Sequence, residues 1–332
     1  MKSGKVSEAV LKRSILKSVN RQKKQHLVSK AGVGCDSGLF AVSEYTGVMA
    51  SACTTLAGEE EGLAKLAVIR ACNSLFVSMV TPEAVTVQIV LPETMEESGL
   101  KNIMQEVLTA CEICDVVLAQ GHTQVSDCIT SPVVSVTALG TAPAMQMLNE
   151  TVYGSDLVMT KTAGLAGSVL LAKQYREQLH ERYTYSFIDK MISKESEFFT
   201  GTECKILKEC GICHMHDVAE GGVFGAVWEL AERLHAGVEL DLKKIPILQE
   251  TVEVSEYFDV NPYQLKGDGA VLFLTHESDI VIKKLKEQGI TATVIGKMTD
   301  SNDRVLLNED EKRFLEPNRV DEYERARKIE LG

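Results

Sequence analysis

A chain of 332 residues with 45% hydrophobic residues and seven prolines exceeds what one hydrophobic core usually organises and reads as two compact, fully folded domains. Its formal net charge of -12 argues against nucleic-acid binding, which wants a basic surface, and means that any nucleotide must be held locally by Lys, backbone amides or metal. No run of about 18 uncharged apolar residues occurs and residues 1–24 lack an apolar signal core, so neither a membrane span nor export is expected and the chain is read as cytoplasmic.

The segment from Lys2 to Lys24 is the one basic stretch, and its apolar positions Val10, Ile15, Leu16 and Val19 predict a surface helix with a solvated basic face rather than a nucleic-acid arm. From residue 38 onward strands and helices alternate. Leu39–Ser43 and Val48–Cys53 read as strands, Glu59–Met79 as a helix, Val85–Leu91 as a strand stopped by Pro92, Leu100–Cys114 as a helix, and Val116–Ala119 and Val133–Leu139 as strands. Helices packed on one face of a sheet are expected for this half. The segment Gly140–Asp156, with Pro143, Asn149 and Gly154 and no periodic run, marks the boundary between domains 1–150 and 151–332.

The second half opens with a strand at Leu157–Lys161 and helix from about Ala166 to about Cys210. The acidic turn Met215 to Gly222 follows and closes on a glycine pair, leading into an amphipathic run, Val223–Leu234. A strand end feeding an exposed helix N-terminus favours an anion there, because its backbone N–H groups and dipole point at the ligand. Strands at Val238–Leu242, Ala270–Thr275 and Ala292–Lys297, a helix at Ser278–Gln288, and a charged, peripheral tail from Glu309 complete the chain. Gly164 to Ser168 reads either as a second anion turn or as a tight connection needing small residues, and Gly267-Asp268-Gly269 as a turn.

Nine Cys, an odd number, are too few for a disulfide scaffold and read as mostly reduced thiols, many of them buried. Cys111 and Cys114 share one helix face at its C-terminal end, where core packing is the better reading. Cys210 to His216 has metal-like spacing, but strand alternation sends Cys213 and Met215 to one face and His214 and His216 to the other; His216 is left as a candidate to line a cleft.

The order of motifs resembles the aminoimidazole ribonucleotide (AIR) synthetase superfamily. Ala31 to Gly38 resembles its first glycine-and-aspartate loop, Gly62 to Leu75 its helix ending in Asn-Asp-Leu, Gln120-Gly121-His122-Thr123 its Gly-Gly-Asp-Thr turn, and His216 to Gly222 its second-domain Asp-x-x-x-Gly-Gly motif. Gly62 to Ala67, Gly237 to Asp241 before Ile245-Pro246, and Val294 to Lys297 are most similar to the hydrogenase-maturation (carbamoyl dehydratase) branch. The resemblance implies an α/β (α+β) fold of two AIR synthetase-like domains: an N-terminal mixed sheet forming a homodimer and a C-terminal α/β sandwich. It also implies ATP held with Mg²⁺, an oxygen of a small-molecule substrate that is phosphorylated and then displaced, and another maturation protein as partner. Nucleotide contacts are carried onto Gly32, Gly34, Asp36, Lys65, Asn73, Gly121, His122, Thr123, Gly221 and Gly222, and catalytic roles onto Asp217 and Glu220. Glycine turns of both lobes are expected to converge on one hollow.

The departures concern charge. Mg²⁺ on a triphosphate wants carboxylates, yet where the family has them this chain has Cys35 beside Asp36, Cys53 or Thr54, Ser74 after Asn73, and His122. Glu59, Glu60, Glu61 and Asp127 are candidate substitutes. Cys35, Cys53 and His122 are softer ligands suited to Zn²⁺ or Fe, so a transition-metal site drawing on Cys35, Asp36 and His122 stands beside the plainer reading of buried thiols and a turn histidine. The chain ends Arg327 to Gly332 without the branch's terminal Cys, so a carbamoyl-carrier step is not expected. Two functions follow: ATP-dependent, ligase- or dehydratase-like activation of a small oxygen-containing group, or a non-catalytic regulatory paralogue holding a metabolite or a maturation partner.

Overall fold

The computed structural model describes residues 8–12, 16, 32–33, 35, 37–41, 47–143, 152–316 and 320–328. These fall into two compact units, one drawn from 37–143 and the other from 152–328 together with 8–12, 16, 32, 33 and 35.

The first unit is one sheet and two helices: β1 (Gly38–Ala41), β2 (Gly47–Ala57), α2 (Leu63–Val77), β3 (Thr81–Pro92), α3 (Glu97–Cys114), β4 (Val117–Ser126) and β5 (Val133–Pro143). The strand order is β1-β2-β5-β3-β4, antiparallel except for the parallel β3–β4 pair. Alternation along the strands builds the core, since Ala50, Ala52, Val85, Val87, Val134 and Val136 are buried while the residues between them face the other way. The inward face meets α2, which packs in turn on α3; α2 is enclosed from both sides and buries even Arg70 and Asn73. Its start falls at Leu63, later than the predicted Glu59, because Gly62 takes φ 90° and turns the chain into the helix.

The largest correction here concerns Gln120 to Thr123. They form no turn; they lie inside β4, with Gly121 opposite Val87 and His122 opposite Gln88. As an edge strand, β4 is exposed along nearly its whole length, so no alternation of polarity marks its extent in the sequence.

The second unit contains β6 (Asp156–Thr160), α4 (Leu165–Gln174), α5 (Arg176–His180), α6 (Tyr185–Ser193), α7 (Gly201–Glu209), β7 (Met215–Val218), α8 (Gly222–Leu234), β8 (Gly237–Asp241), α9 (Gln249–Tyr257), β9 (Ala270–Thr275), α10 (Ser278–Glu287), β10 (Ala292–Thr299), β11 (Arg304–Asn308), β12 (Glu311–Phe314) and α11 (Glu322–Ala326). The seven strands run β12-β11-β8-β10-β6-β9-β7. Every residue of β9 is buried, the pattern of a strand covered on both faces. The apolar stripe of α8, including Val223, Val227, Leu230 and Ala231, packs on Leu157, Leu240, Leu272 and Ile295 of the sheet. Helix α9 and the β11–β12 hairpin were not foreseen. The tail is not peripheral either: Leu315, Asp321, Tyr323 and Ala326 are buried. Among the described residues no helix is long and apolar enough to cross a membrane.

Of the basic N-terminal segment the structure describes α1 (Glu8–Leu11), Lys12 and Leu16. Glu8 accepts a hydrogen bond from Trp228 Nε1 at 2.9 Å, the Arg304 guanidinium lies 4.0 Å over the Trp228 ring, and Glu232 on α8 pairs with both Lys12 and Arg304. Hydrogen bonds from Lys12 and then Arg304 hold the Glu232 carboxyl down to about 2, below its ordinary 4.5. A depressed carboxyl contributes stability that is fully present above its unfolded pKa and is lost as pH falls through the folded one. Glu232→Gln is therefore expected to lower stability in urea unfolding at pH 7, with the deficit against wild type shrinking between pH 4.5 and 2.

Candidate functional site

Three helix heads were expected to meet an anion, and each is filled from within the chain. In the first unit, Gly62 N, Ala64 N and Lys65 N donate to the Glu106 carboxylate of α3 at 2.8, 3.0 and 3.4 Å. A carboxylate is the natural occupant, because the leading N–H groups of a helix have no partner within it and sit at the positive end of its dipole. Lys65 thus has its backbone N–H turned to Glu106. Asn73 is 2% exposed within the enclosed α2. Gly121, His122 and Thr123 lie on the outer strand β4, where His122 Nε2 is 3.4 Å from Gln124 Oε1. Gly34 and Asp36 lie outside the described residues.

The open face of the same sheet is lined by small polar side chains. Thr55 Oγ1 and Ser135 Oγ meet at 2.9 Å, and Cys53 Sγ lies 3.3 Å from Thr137 Oγ1. By register, Thr137 and Thr86 continue the Cys53 row, and Ser135 and Gln88 join Thr55 to His122. Cys53 and His122 share this face but stand three strand spacings apart, about 14 Å, too far to bind one ion together. Cys35 is exposed and belongs to the other unit. Among the described residues no three His, Cys, Asp or Glu side chains are grouped to hold a metal.

In the second unit the chemistry gathers where β6 and β7 end. Lys161, just past β6 and held at a positive φ of 54°, donates from Nζ to the carbonyls of Glu197 at 2.7 Å and Phe199 at 3.1 Å and pairs with the buried Glu203 carboxylate on α7. Glu203 and Asp217 lie close enough to push the Cys204 thiol upward, adding to the larger effect of its burial. Asp217, in β7, is half-buried, and Glu220 follows in the turn before α8. His216 does not line a cleft: it is buried, with Nε2 3.3 Å from Glu229 on α8.

The glycine pair does what only glycine can. Gly221 and Gly222 take φ of 85° and 60°, and a Cβ at Gly222 would stand 2.6 Å from Tyr263 O and 2.7 Å from Leu265 O. The 262–267 loop is laid against this turn, with Gly267 N donating to Ala219 O at 3.2 Å. The same loop closes the head of α4, where Gly167 N donates to Lys266 O at 2.9 Å and a Cβ on Gly164 would lie 2.8 Å from Pro262 O; the tight-connection reading of that turn describes this geometry. At the head of α8, Gly221 N donates to Asp321 Oδ2 at 2.6 Å.

Three of the thiols form one buried group. Cys72, Cys111 and Cys114 are packed together between α2 and α3, and contact with Cys114 followed by burial raises the Cys72 thiol. Burial, then Cys114, raises that of Cys111 to about 11. These are core thiols, as the helical spacing of Cys111 and Cys114 implied.

Two family descriptions match the chain: AIR synthase related protein, N-terminal domain, over residues 36–142, and AIR synthase related protein, C-terminal domain, over residues 153–307. The chain belongs to the AIR synthase related family. A protein of Methanocaldococcus jannaschii named for hydrogenase expression/formation is 22% identical over 253 residues, 74% of this chain and 72% of that protein. The fold matches the hydrogenase maturation protein HypE of E. coli with a TM-score of 0.68 at 18% identity, over 82% of this chain and 88% of that one. A HypE solved in complex with ATP matches at 0.64 and 14%, over 97% of each chain, and a HypE–HypF complex at 0.65 and 16%, over 84% and 92%.

Glu106, Lys161, Glu203, Lys266 and Asp321 were not singled out from the sequence. Each acts on a partner at least 36 residues away, beyond any local pattern, although the Asp321-Glu322-Tyr323-Glu324 run carries a legible helix-start signature. Removing the carboxylate that seals α2 leaves backbone donors unpaired, so Glu106→Ala is expected to cost about 1–2 kcal/mol in chemical denaturation. Glu106→Gln, which keeps one acceptor oxygen, should recover part of the loss.

Proposed function

We propose that this chain is a hydrogenase-maturation-factor-like protein that binds ATP with Mg²⁺ and uses it to activate a small oxygen-containing group. Membership of the family in both domains supports the reading, as does the likeness to a maturation protein solved with ATP. The observation in this chain that carries it is the ordered acidic turn at the head of α8, where Asp217 and Glu220 stand beside two positive-φ glycines. Asp217 and Glu220 then face the substrate and hold or move its proton. Gly32, Gly34, Asp36, Lys65, Asn73, Gly121, His122 and Thr123 frame the nucleotide, with Gly221 and Gly222 at the turn. Bound Mg²⁺ would supply the positive charge that a transferring phosphoryl group requires.

In this reading residues 1–150 carry the nucleotide side and a homodimer contact, and residues 151–332 the substrate cleft. The polar face of the β1–β5 sheet, half-buried to exposed among the described residues, is the surface a second copy would meet. Another maturation protein is the proposed partner, in line with the likeness to the HypE–HypF complex.

The second reading is a regulatory paralogue that keeps the fold without ATP turnover. It is favoured by Asp321, which already occupies the Gly221 N–H, and by thiol and imidazole side chains at Cys53 and His122, where the resemblance calls for carboxylates.

Calorimetric titration with Mg-ATP separates the two. Binding near the micromolar range is expected for the enzyme, and silence at millimolar nucleotide would establish the regulator. Asp217→Asn should weaken nucleotide or substrate binding about tenfold, a loss of about 1.4 kcal/mol, with an unchanged melting temperature; unchanged binding would remove Asp217 from the site. Sedimentation at micromolar protein should report a dimer.

A further inference from the structure

The segment 320–328 is tied to the rest of its unit by the Asp321 carboxylate and the Lys266 ammonium, by the buried Tyr323 and Ala326, and at its rim by Arg325 on Asp259 and Tyr175 Oη on the Arg327 carbonyl. Asp321 is 5% exposed, and its oxygens accept from Gly221 N at 2.6 Å, Lys266 N at 3.3 Å and Tyr323 N at 2.8 Å. Lys266 is 3% exposed; its Nζ lies 3.2 Å from Glu324, 4.0 Å from Glu220 and 4.6 Å over the Tyr323 ring. Tyr323 and Ala326 are fully buried, and Asn261 N donates to Glu322 at 3.4 Å. One short helix thus holds both the turn carrying Glu220 and the loop that closes on it. It reaches them across 100 and 55 residues of chain, and its own helix is only five residues long, too short to persist unaided.

We propose that residues 320–328 are a strap that docks and undocks as a unit, and that undocking releases the Glu220–Gly222 turn together with the 261–267 loop. The conformational freedom of the turn that bears the acidic side chains is then set by the C-terminal segment. This inference does not rest on nucleotide binding and is read on the unliganded protein.

The strap has a pH signature. Burial raises the Asp321 carboxyl to about 6, and Glu220 adds to the rise, against Lys266 and the N–H groups of Gly221 and Tyr323. The charged groups around it are Lys266 from the loop, Glu220 from the turn, and Glu322 and Glu324 from its own helix, with Arg325 paired to Glu322 and to Asp259 and Arg327 paired to Glu324. Once undocked, the Asp321 carboxyl returns to the ordinary range near 4. The docked form therefore binds a proton more readily than the undocked one. Docking is firmest in acid and weakens as pH rises through about 6, by about tenfold between pH 5 and pH 8.

Hydrogen exchange read by mass spectrometry, with each rate divided by the intrinsic rate at that pH, tests this directly. From pH 5 to pH 8, protection of the segments containing Gly221 and 323–327 is expected to fall together by about tenfold, while β9 stays constant. Asp321→Asn, a neutral near-isostere, should abolish that pH step. Asp321→Ala should cost both segments at least tenfold in protection at either pH. Independent exchange of turn and strap, no change with pH in the wild type, or a pH step that survives in Asp321→Asn would each overturn the proposal; the Asn variant keeps the test decisive should the Ala variant not fold.

Discussion

The leading N–H groups of a helix cannot be buried bare, and the way this chain satisfies them organises much of its structure. Leaving a buried donor unpaired costs on the order of 1–3 kcal/mol, so three glycine-led helices each recruit an acceptor from a distant part of the chain. Glu106 seals α2, the Lys266 carbonyl serves α4, and Asp321 takes the Gly221 N–H at the head of α8. The glycines and the acceptors depend on each other: only residues without a Cβ let the 262–267 backbone approach to within 3 Å of where that atom would stand at Gly164 and Gly222.

This arrangement bears on both functional readings. A helix head that receives an internal carboxylate has the geometry and the field to receive an external anion, so the feature that supports a phosphate or carboxylate ligand also shows the protein supplying one of its own. In the same unit as Asp217, Lys161 ties the 197–203 segment to the end of β6 through two carbonyls and Glu203. The α8 head differs. The turn there is held both by the 262–267 loop and by Asp321, which caps a helix of only five residues.

The two sheets were legible to different degrees. Strands buried on one face or both, such as β2, β3, β5 and β9, announce themselves by alternation or by continuous apolar runs, and their helices by long apolar stripes. Edge elements do not: β4 is exposed along nearly its whole length and its sequence marks a strand only over residues 116–119, and the β11–β12 hairpin, whose β12 is wholly exposed, left no apolar signal. In the candidate site, Asp217, Glu220, Gly221 and Gly222 were visible as a motif because they are contiguous. Lys161, Glu203, Lys266 and Asp321 were not, because ion pairs and caps formed across the fold impose no spacing on the chain.

The amino-acid sequence by itself determined most of the buried strands and the longer helices, the family resemblance, and the glycine pair where the backbone turns through positive φ, because burial periodicity and the absence of a Cβ are local properties. Only the tertiary structure decided what fills the helix heads, that His122 lies along an edge strand, and that the charged C-terminal segment is an anchored part of the core. Those outcomes depend on which distant groups meet, and a carboxylate such as Asp321 carries no mark in its own neighbourhood of the amide it will accept from.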